Sequence, residues 1–162
     1  MSERKIEVVK YPVEIFDEVY DKILRHAVQR DKFPKEMEKS LRQRSREIPS
    51  LIQEIGLIGA LSYCFSKGYK YYPQILDALK GVQRIDDLAK ETDAGYSIYL
   101  YFLLRGIEQI KILDVDHTKP YEAIKELSNN LDRARIIERL IMSYLVEIKR
   151  LCEGSLRSGE ER

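Results

Sequence analysis

Apolar residues recur every three or four positions along most of this chain, and no segment alternates between apolar and polar residues as a half-buried strand would. This periodicity predicts an all-α fold, and we expect a single compact helical bundle of about six or seven helices. The bundle would span residues 11–153. An N-terminal tail at 1–10 and a polar C-terminal tail at 154–162 would flank it.

Prolines mark the first predicted helix starts, because a residue without an N–H fits the first turn of a helix. Pro12 and Pro34 would open the first two helices, and Pro49 would stop or kink the chain and open another. Residues 49–67 are apolar almost all round, which predicts a helix in the centre of the core. Gly56 and Gly59 within this segment predict the close approach of a neighbouring helix. Four apolar residues of the segment are expected to be buried: Leu51, Ile55, Ile58 and Phe65.

The rest of the chain predicts four more helices, which begin near Tyr72, at Asp93, at Tyr121 and after Asn129 or Asn130. The last of them is a long helix. Its inward face is expected to consist of Leu140, Ile141, Tyr144, Ile148 and Leu151.

Composition and charge limit the functions and cellular locations that this fold could have. The chain has 162 residues, 34% of them charged, and a net charge of +1, which excludes a histone-like polycation, so any nucleic-acid contact requires local basic patches. The longest apolar stretch, residues 96–104, is far shorter than the roughly 18 residues of a membrane span. Since the N-terminus also lacks the pattern of a signal peptide, we expect a cytoplasmic protein with no membrane contact. Abundant Lys, Arg and Glu beside only two asparagines favour a thermophilic source.

Residues suited to catalysis or to metal and cofactor binding form no motif in this sequence. It contains no Gly-rich phosphate loop, no HExxH and no GxSxG. Cys64 and Cys152 lack the paired spacing of a zinc site and are expected to be buried thiols. His26 and His117 are isolated, so we interpret them as structural rather than catalytic. The sequence thus predicts no enzyme, no cofactor and no metal site.

Two sets of basic residues recur at helical spacing and are the candidate contacts to an RNA backbone. At about 100° per residue, each set occupies one side of its helix, opposite the apolar side, and Val146 shares the side of the second set. Such exposed cations would contribute little to folding. The alternative is an ordinary solvated helix face, balanced by acidic neighbours. The candidates are Lys35, Lys39, Arg42 and Arg46 on the second helix, and Arg135, Arg139 and Arg150 on the last helix.

Tyrosines and lysines alternate between the central apolar segment and the helix that follows it. Tyr69, Tyr71 and Tyr72 flank Lys67 and Lys70. Aromatic rings among cations can stack exposed bases. The interpretation we favour is a bundle corner with rings packed inward and hydroxyls outward.

Several of these features together resemble a known family. They are the helix-opening Pro49, the Gly-Leu pair at 56–57, the Ser-Lys-Gly exit at 66–68 and the pattern of the last helix at 144–150, Tyr-Leu followed by Ile-Lys-Arg. They are similar to the small α-helical subunit of the Cmr complex, the type III-B CRISPR ribonucleoprotein that targets RNA. The likeness covers about residues 39–153 and extends to the chain length and the all-helical pattern.

The resemblance implies a non-catalytic subunit that stacks along the complex and helps hold the guide–target RNA duplex through backbone contacts. Its implied partners are other Cmr subunits, including the backbone subunit, further copies of itself, guide RNA and target RNA. Cleavage would belong to other subunits. The main alternative is a helical protein–protein adaptor or regulator with no direct RNA contact. A helix-turn-helix DNA binder is a further option, although no pair of short helices with a tight Gly turn stands out.

Overall fold

The computed structural model describes residues 3–25, 34–81 and 87–158, and within these ranges it contains six α-helices and no strand. The predicted all-α fold is confirmed. The prediction for His26 lies outside the described residues. A π-helical turn at Tyr20–Leu24 follows the first helix, and a 3₁₀ turn at Leu88–Lys90 precedes the fourth. The helices are α1 (Glu3–Val19), α2 (Glu36–Gly68), α3 (Tyr72–Leu79), α4 (Thr92–Ile110), α5 (Pro120–Ser128) and α6 (Leu131–Ser155).

Helix α4 forms the centre of the core. Every residue from Ala94 to Leu104 is buried, and α1, α2, α3 and α6 all contact this helix. A helix surrounded on all sides needs apolar residues all round, which explains the uninterrupted run at 96–104. The prediction that the segment 49–67 occupies the centre is therefore wrong, because that segment forms part of α2 and packs on α4 from one side.

Helix α2 changes direction at Gly56 and not at Pro49. Pro49 lies inside a helical stretch, whereas Gly56 has φ 87° and ψ 166°, a conformation essentially restricted to glycine. The break leaves the next N–H groups without carbonyl partners in their own helix. The Glu138 carboxylate of α6 accepts the N–H of Leu57 at 2.6 Å and so caps the second half of α2.

Both ends of α2 reach the same turn of α4, which shows how sharp the change of direction is. A Cβ added to Gly95 would lie 2.7 Å from the backbone nitrogen of Leu41, and one added to Gly68 would lie 2.7 Å from that of Ser97. Glycine at these two positions lets the backbones approach more closely than any side chain would allow.

The break also decides which side of α2 is buried. Leu51, Ile58 and Phe65 are only partly buried, and Ile55 is 55% exposed. The prediction that these four residues are buried is therefore wrong, because none of them is fully buried. An apolar pattern all round the helix gives no stripe from which to choose a face, and Gly56 interrupts the 3.6-residue period in the middle. The fully buried side is formed by Ile52, Leu57, Ala60, Leu61 and Cys64.

Gly59 makes no close contact with a neighbouring helix, contrary to expectation. The atoms nearest to a Cβ added there belong to the side chain of Ile55, at 3.0 Å, whereas one added to Gly56 would lie 3.3 Å from Glu138 Oε1 of α6. The glycine of α4 that faces α6 is Gly106, where a Cβ would lie 2.7 Å from the ring of Tyr144. Tyr144 also donates a hydrogen bond to the carbonyl of Phe102 at 2.7 Å, which fixes α6 against α4.

The two chain ends differ from the predicted tails. Helix α1 begins at Glu3, so Pro12 lies inside it and not at its first residue. After α6, Leu156 is 3% exposed and Arg157 bonds both carboxylate oxygens of Glu38, at 3.0 and 3.2 Å. The start of the C-terminal segment is therefore docked on α2. Within α6 the predicted inward face is correct except at its edges, since Leu140 is 45% exposed and Leu151 only partly buried.

One 18-residue window of α2 reaches a mean hydropathy of 1.3, enough for a membrane span by length and composition alone. This window includes the break at Gly56, so it does not form one straight helix.

We expect Gly56→Ala to destabilise the fold by about 1–3 kcal/mol, because the φ of 87° is strained for any residue with a Cβ. Gly154→Ala near the end of α6 is the matched control, since nothing lies within 4 Å of its added Cβ. We expect that change to be neutral or slightly stabilising. Chemical denaturation of the two variants measures the difference, and equal stabilities would contradict the assigned role of Gly56.

We expect Gly95→Ala to cost about 1–3 kcal/mol, because its Cβ would collide with the backbone of α2. Gly59→Ala should instead be neutral or gain up to about 1 kcal/mol in helix propensity, because only the exposed, flexible Ile55 side chain must move. Thermal and urea unfolding of both variants test this. A Gly59→Ala loss as large as that of Gly95→Ala would show that α2 packs differently.

Candidate nucleic-acid interface

The arginine set on α6 is exposed as predicted. Arg135, Arg139 and Arg150 lie at the surface with Val146 between them, and Arg150 is 69% exposed. At about 100° per residue these four positions fall within 60° of one another. We call this side of α6 the arginine face. It exists because the opposite side of the helix is fixed in the core by Ile137, Ile141, Leu145 and Ile148.

Two residues of the arginine face have no ionic partner in the part of the chain that the structure describes. Arg135 and Arg139 form no ion pair with any residue that the structure describes, and Arg150 pairs with Glu147 one turn before it. An exposed pair of this kind contributes only about 0–1 kcal/mol and exchanges readily for another anion. The arrangement is suited to a polyanion, because arginine can bind phosphate oxygens with two N–H groups at once.

The basic set on α2 does not form one exposed row. Lys35 precedes the helix in an extended conformation, and Lys39 pairs with Glu36 at 2.7 Å. Arg42 is only 7% exposed, so its expected surface position is wrong. It lies near the thiol of Cys152, where α2 packs against α6. The 3.6-residue period gives the side of α2 on which Arg42 lies. It does not show that α6 covers this side of the helix.

The structure brings the exposed end of the α2 set beside the arginine face. Arg46 Nε lies 2.9 Å from Glu153 Oε1, and Glu153 is three residues beyond Arg150 on α6. The Arg46 hydrogen bond lowers the pKa of the Glu153 carboxyl. Glu153 thus neutralises part of the positive charge between Arg46 and Arg150. Arg135 and Arg139, which have no ionic partner among the described residues, lie further toward the start of α6.

Buried charges of α2 have structural partners that the sequence did not reveal. The guanidinium of Arg44 lies 4.3 Å from the centre of the Tyr96 ring and 3.2 Å from Glu47. Glu38 is 1% exposed and is bonded by Arg157. The only sequence signal for these roles is that basic and acidic residues interrupt the apolar face of a long helix. Glu47 is a local partner of Arg44, but Tyr96 and Arg157 are distant in sequence, so no local pattern identifies them.

The tyrosines after α2 form a corner rather than an aromatic platform. Tyr72 is 3% exposed and donates a hydrogen bond to the carbonyl of His117 at 2.5 Å. The Lys70 ammonium lies 5.3 Å from the centre of the half-buried Tyr71 ring. Tyr69 is 60% exposed. Since only one ring faces solvent, the favoured interpretation as a bundle corner agrees with the structure.

The two cysteines are buried thiols without reactive character. Cys64 and Cys152 are both 0% exposed, as predicted, and burial raises the pKa of each thiol to about 12. A thiol attacks as its thiolate, so neither residue is a nucleophile near neutral pH.

His117 belongs to a polar cluster that anchors the loop after α4. Its backbone N–H and its Nδ1 lie 2.8 and 2.7 Å from one oxygen of Glu108, whose other oxygen lies 3.2 Å from Arg105 Nε. Arg105 also donates to the Tyr101 hydroxyl at 2.6 Å, and that hydroxyl donates to Glu18 at 2.9 Å. The cluster therefore joins α1, α4 and the loop.

The same cluster contains the side chains best placed to hold a metal ion among the described residues. Ligand atoms of Glu108, Asp116 and His117 lie within 4.8 Å of one another. Glu108 already interacts with the Arg105 guanidinium and with His117, and Asp116 accepts two hydrogen bonds from Thr118, which lower the pKa of its carboxyl. These bonds engage both oxygens of Glu108, Nδ1 of His117 and Oδ1 of Asp116, so we interpret the cluster as loop anchoring.

Comparisons with known proteins are informative about family and fold. The family model described as CRISPR-associated protein (Cas_Cmr5) matches residues 14–155. Two similar chains come from cryo-EM structures of the type III-B Cmr-beta complex, one bound to non-cognate target RNA and one bound to cognate target RNA and AMPPnP. In both cases the TM-score is 0.67 at 22% identity, covering 94% of this chain and 97% of the other. The search of curated proteins gave no match.

Proposed function

Because this chain belongs to the Cas_Cmr5 family of CRISPR-associated proteins, we propose that it is a non-catalytic small subunit of a type III-B CRISPR ribonucleoprotein, the Cmr complex. The observation that supports this most strongly is the family match over residues 14–155. The same helical fold occurs in chains of Cmr-beta complexes bound to target RNA. The proposed partners are the other subunits of the complex, including the backbone subunit and further copies of this chain, together with guide RNA and target RNA.

Within this proposal the arginine face of α6 contacts the RNA backbone. Phosphates are bound by charge and geometry, whatever the sequence, and base pairing between guide and target supplies the specificity. Arg135 and Arg139 suit this role because no described residue neutralises them. Arg46 and Lys39 of α2 are secondary candidates, because each already has a carboxylate partner. Arg42 belongs to the α2–α6 contact.

The alternative is a helical protein–protein adaptor or regulator with no direct RNA contact. The Arg150–Glu147 and Arg46–Glu153 pairs favour it, because they are what a balanced solvated face would show. The two possibilities differ in whether removing charge from the arginine face changes retention of RNA.

Replacing Arg135, Arg139 and Arg150 together with glutamine should weaken retention of target RNA by the reconstituted complex. The effect should be similar for unrelated guide–target pairs, and the log–log salt slope should flatten by up to about 2, since each phosphate contact contributes about 0.7 on a single strand. Helicity and melting temperature should barely change, because all three side chains are exposed. Filter binding across a salt series measures both quantities.

The matched control replaces three exposed lysines outside both candidate segments with glutamine, namely Lys80, Lys90 and Lys125, and so changes the net charge equally. It should leave RNA retention unchanged. Retention and salt slope like those of the parent in the arginine variant would favour the protein-only adaptor. The α2 set is tested with Lys39→Gln and Arg46→Gln alone, because Arg42→Gln would disturb a buried contact and lower stability.

The isolated chain should cleave neither labelled RNA nor labelled DNA in the presence of magnesium, manganese or zinc. The reason is that its thiols are buried and protonated and that the members of its one cluster of potential metal ligands in the described residues take part in internal bonds. Cleavage that follows the protein through successive purification steps would contradict the non-catalytic assignment.

A further inference from the structure

The contact between α2 and α6 has a carboxylate bound to a backbone N–H at each of its two ends. At one end Glu138 of α6 accepts the N–H of Leu57 at 2.6 Å. At the other end Glu38 of α2 accepts the N–H of Arg157, also at 2.6 Å. The two ends differ in one respect, because Leu57 lies within a helix whereas Arg157 lies beyond the last turn of α6.

The residues that carry the second contact have left the helix. Helix α6 ends at Ser155, and Leu156 is extended, with φ −115° and ψ 153°. The N–H of Leu156 still bonds the carbonyl of Cys152 at 2.9 Å, and its side chain is 3% exposed within the core. We call residues 156–158 the strap. The burial of Leu156 and the bonds of Arg157 to α2 fix its position.

Glu38 and Arg157 close the strap on α2. Both the main-chain N–H and Nε of Arg157 donate to Oε2 of Glu38, at 2.6 and 3.2 Å, and a terminal guanidinium nitrogen donates to Oε1 at 3.0 Å. A guanidinium that bonds both oxygens of a carboxylate forms one of the strongest and most specific polar contacts in proteins. One residue of the strap thus supplies three donors to a single side chain of α2.

The two partners differ in exposure, and this difference decides what happens when they separate. The side chain of Arg157 is 28% exposed, whereas that of Glu38 is 1% exposed. A guanidinium released from the contact therefore reaches water at once. An ionised carboxylate left in a buried position without these donors is strongly unfavourable. Water can reach Glu38 only if the first turn of α2, residues 36–39, also moves.

Little else holds this first turn of α2. Lys35 occupies the N-cap position and makes no capping hydrogen bond, since a lysine side chain has no acceptor. Glu36 pairs with Lys39 at the surface, a contact of small value. Met37 is the one apolar residue of the turn, and it is fully buried. The strap therefore supplies a large part of the hold on the start of α2.

We propose that the strap and the first turn of α2 open and close together as one local unit, with the Glu38–Arg157 contact as its latch. When the latch is closed, the start of α2 is fixed to the end of α6. When it is open, both segments lose their hydrogen bonds while α4 and the rest of the core stay folded. This inference does not depend on the proposed function, since it concerns the chain on its own.

Amide hydrogen exchange of the full chain, followed residue by residue by NMR, tests the latch directly. The Arg157 N–H reports on the strap, and the N–H groups of residues 40–43 report on the first turn, because their helical partners are the carbonyls of residues 36–39. In the parent, both sets should show one common opening free energy. Their exchange should be at least about tenfold faster than that of the slowest amides of α4, which exchange through global unfolding.

Glu38→Gln removes the latch charge and one acceptor oxygen while keeping the shape of the side chain. It should accelerate exchange of the Arg157 amide and of residues 40–43 by the same factor, about tenfold or more, because both depend on the same opening. Glu36→Gln is the matched control. It removes an exposed carboxylate of the same turn and should change these rates by less than about threefold.

Limited digestion with trypsin gives a second readout. The bond after Arg157 should be cut in the open state, because the closed state holds both the backbone and the side chain of Arg157 against α2. When opening is fast relative to cleavage, the rate follows the open population. Mass spectrometry should therefore show cleavage after Arg157 about tenfold or more faster in Glu38→Gln than in the parent or in Glu36→Gln.

Three results would overturn the proposal, and two of them need only the parent chain. An Arg157 amide that exchanges as slowly as the slowest amides of α4 means that the strap unfolds only with the whole protein. An Arg157 amide without protection means that the latch is not closed. Faster exchange of Arg157 in Glu38→Gln with unchanged rates at residues 40–43 means that the strap opens alone.

Discussion

The fold depends on the change of chain direction at Gly56. A positive φ of 87° there divides α2 into two helical halves, and the Glu138 carboxylate accepts the N–H of Leu57 at the start of the second half. A carboxylate at this place also interacts favourably with the positive end of the helix dipole. Because of this bend, the two ends of α2 pack against one turn of α4, at Gly95 and at Ser97. A straight helix of the same length would leave one of these contacts unmade and expose apolar residues of α4.

The same bend determines where charge and apolar surface are located. It places the first half of α2 along α6, where Arg42 becomes buried and Arg46 reaches Glu153. It turns the second half so that one side packs on α4 and the other remains uncovered. Helix α6 is held by its own apolar side and by Glu138, so its arginine face is exposed without any need for those arginines in folding.

The arginine face and the loop cluster use the same residue type for different purposes. In the proposed function, Arg135 and Arg139 would contact phosphates by charge, and contacts of that kind weaken with salt. Arg105 instead donates a hydrogen bond to Tyr101, whose hydroxyl donates to Glu18, and it pairs with Glu108. These bonds are directed inward and connect α1 with α4 and the loop after α4.

The sequence by itself determined the helical class, most helix positions and the exposure of Arg135, Arg139 and Arg150, because these follow from a local 3.6-residue period. It determined the burial of both cysteines through their residue type and spacing. It also determined the family, through residues spread along the core. It did not determine which side of α2 is buried, since a helix that is apolar all round offers no stripe. Only the tertiary structure decided that Gly56 bends the chain where Pro49 does not, that Arg42 is covered by α6, and that Gly95 rather than Gly59 marks a close helix contact. These outcomes depend on partners far away in sequence, whose positions no local period contains.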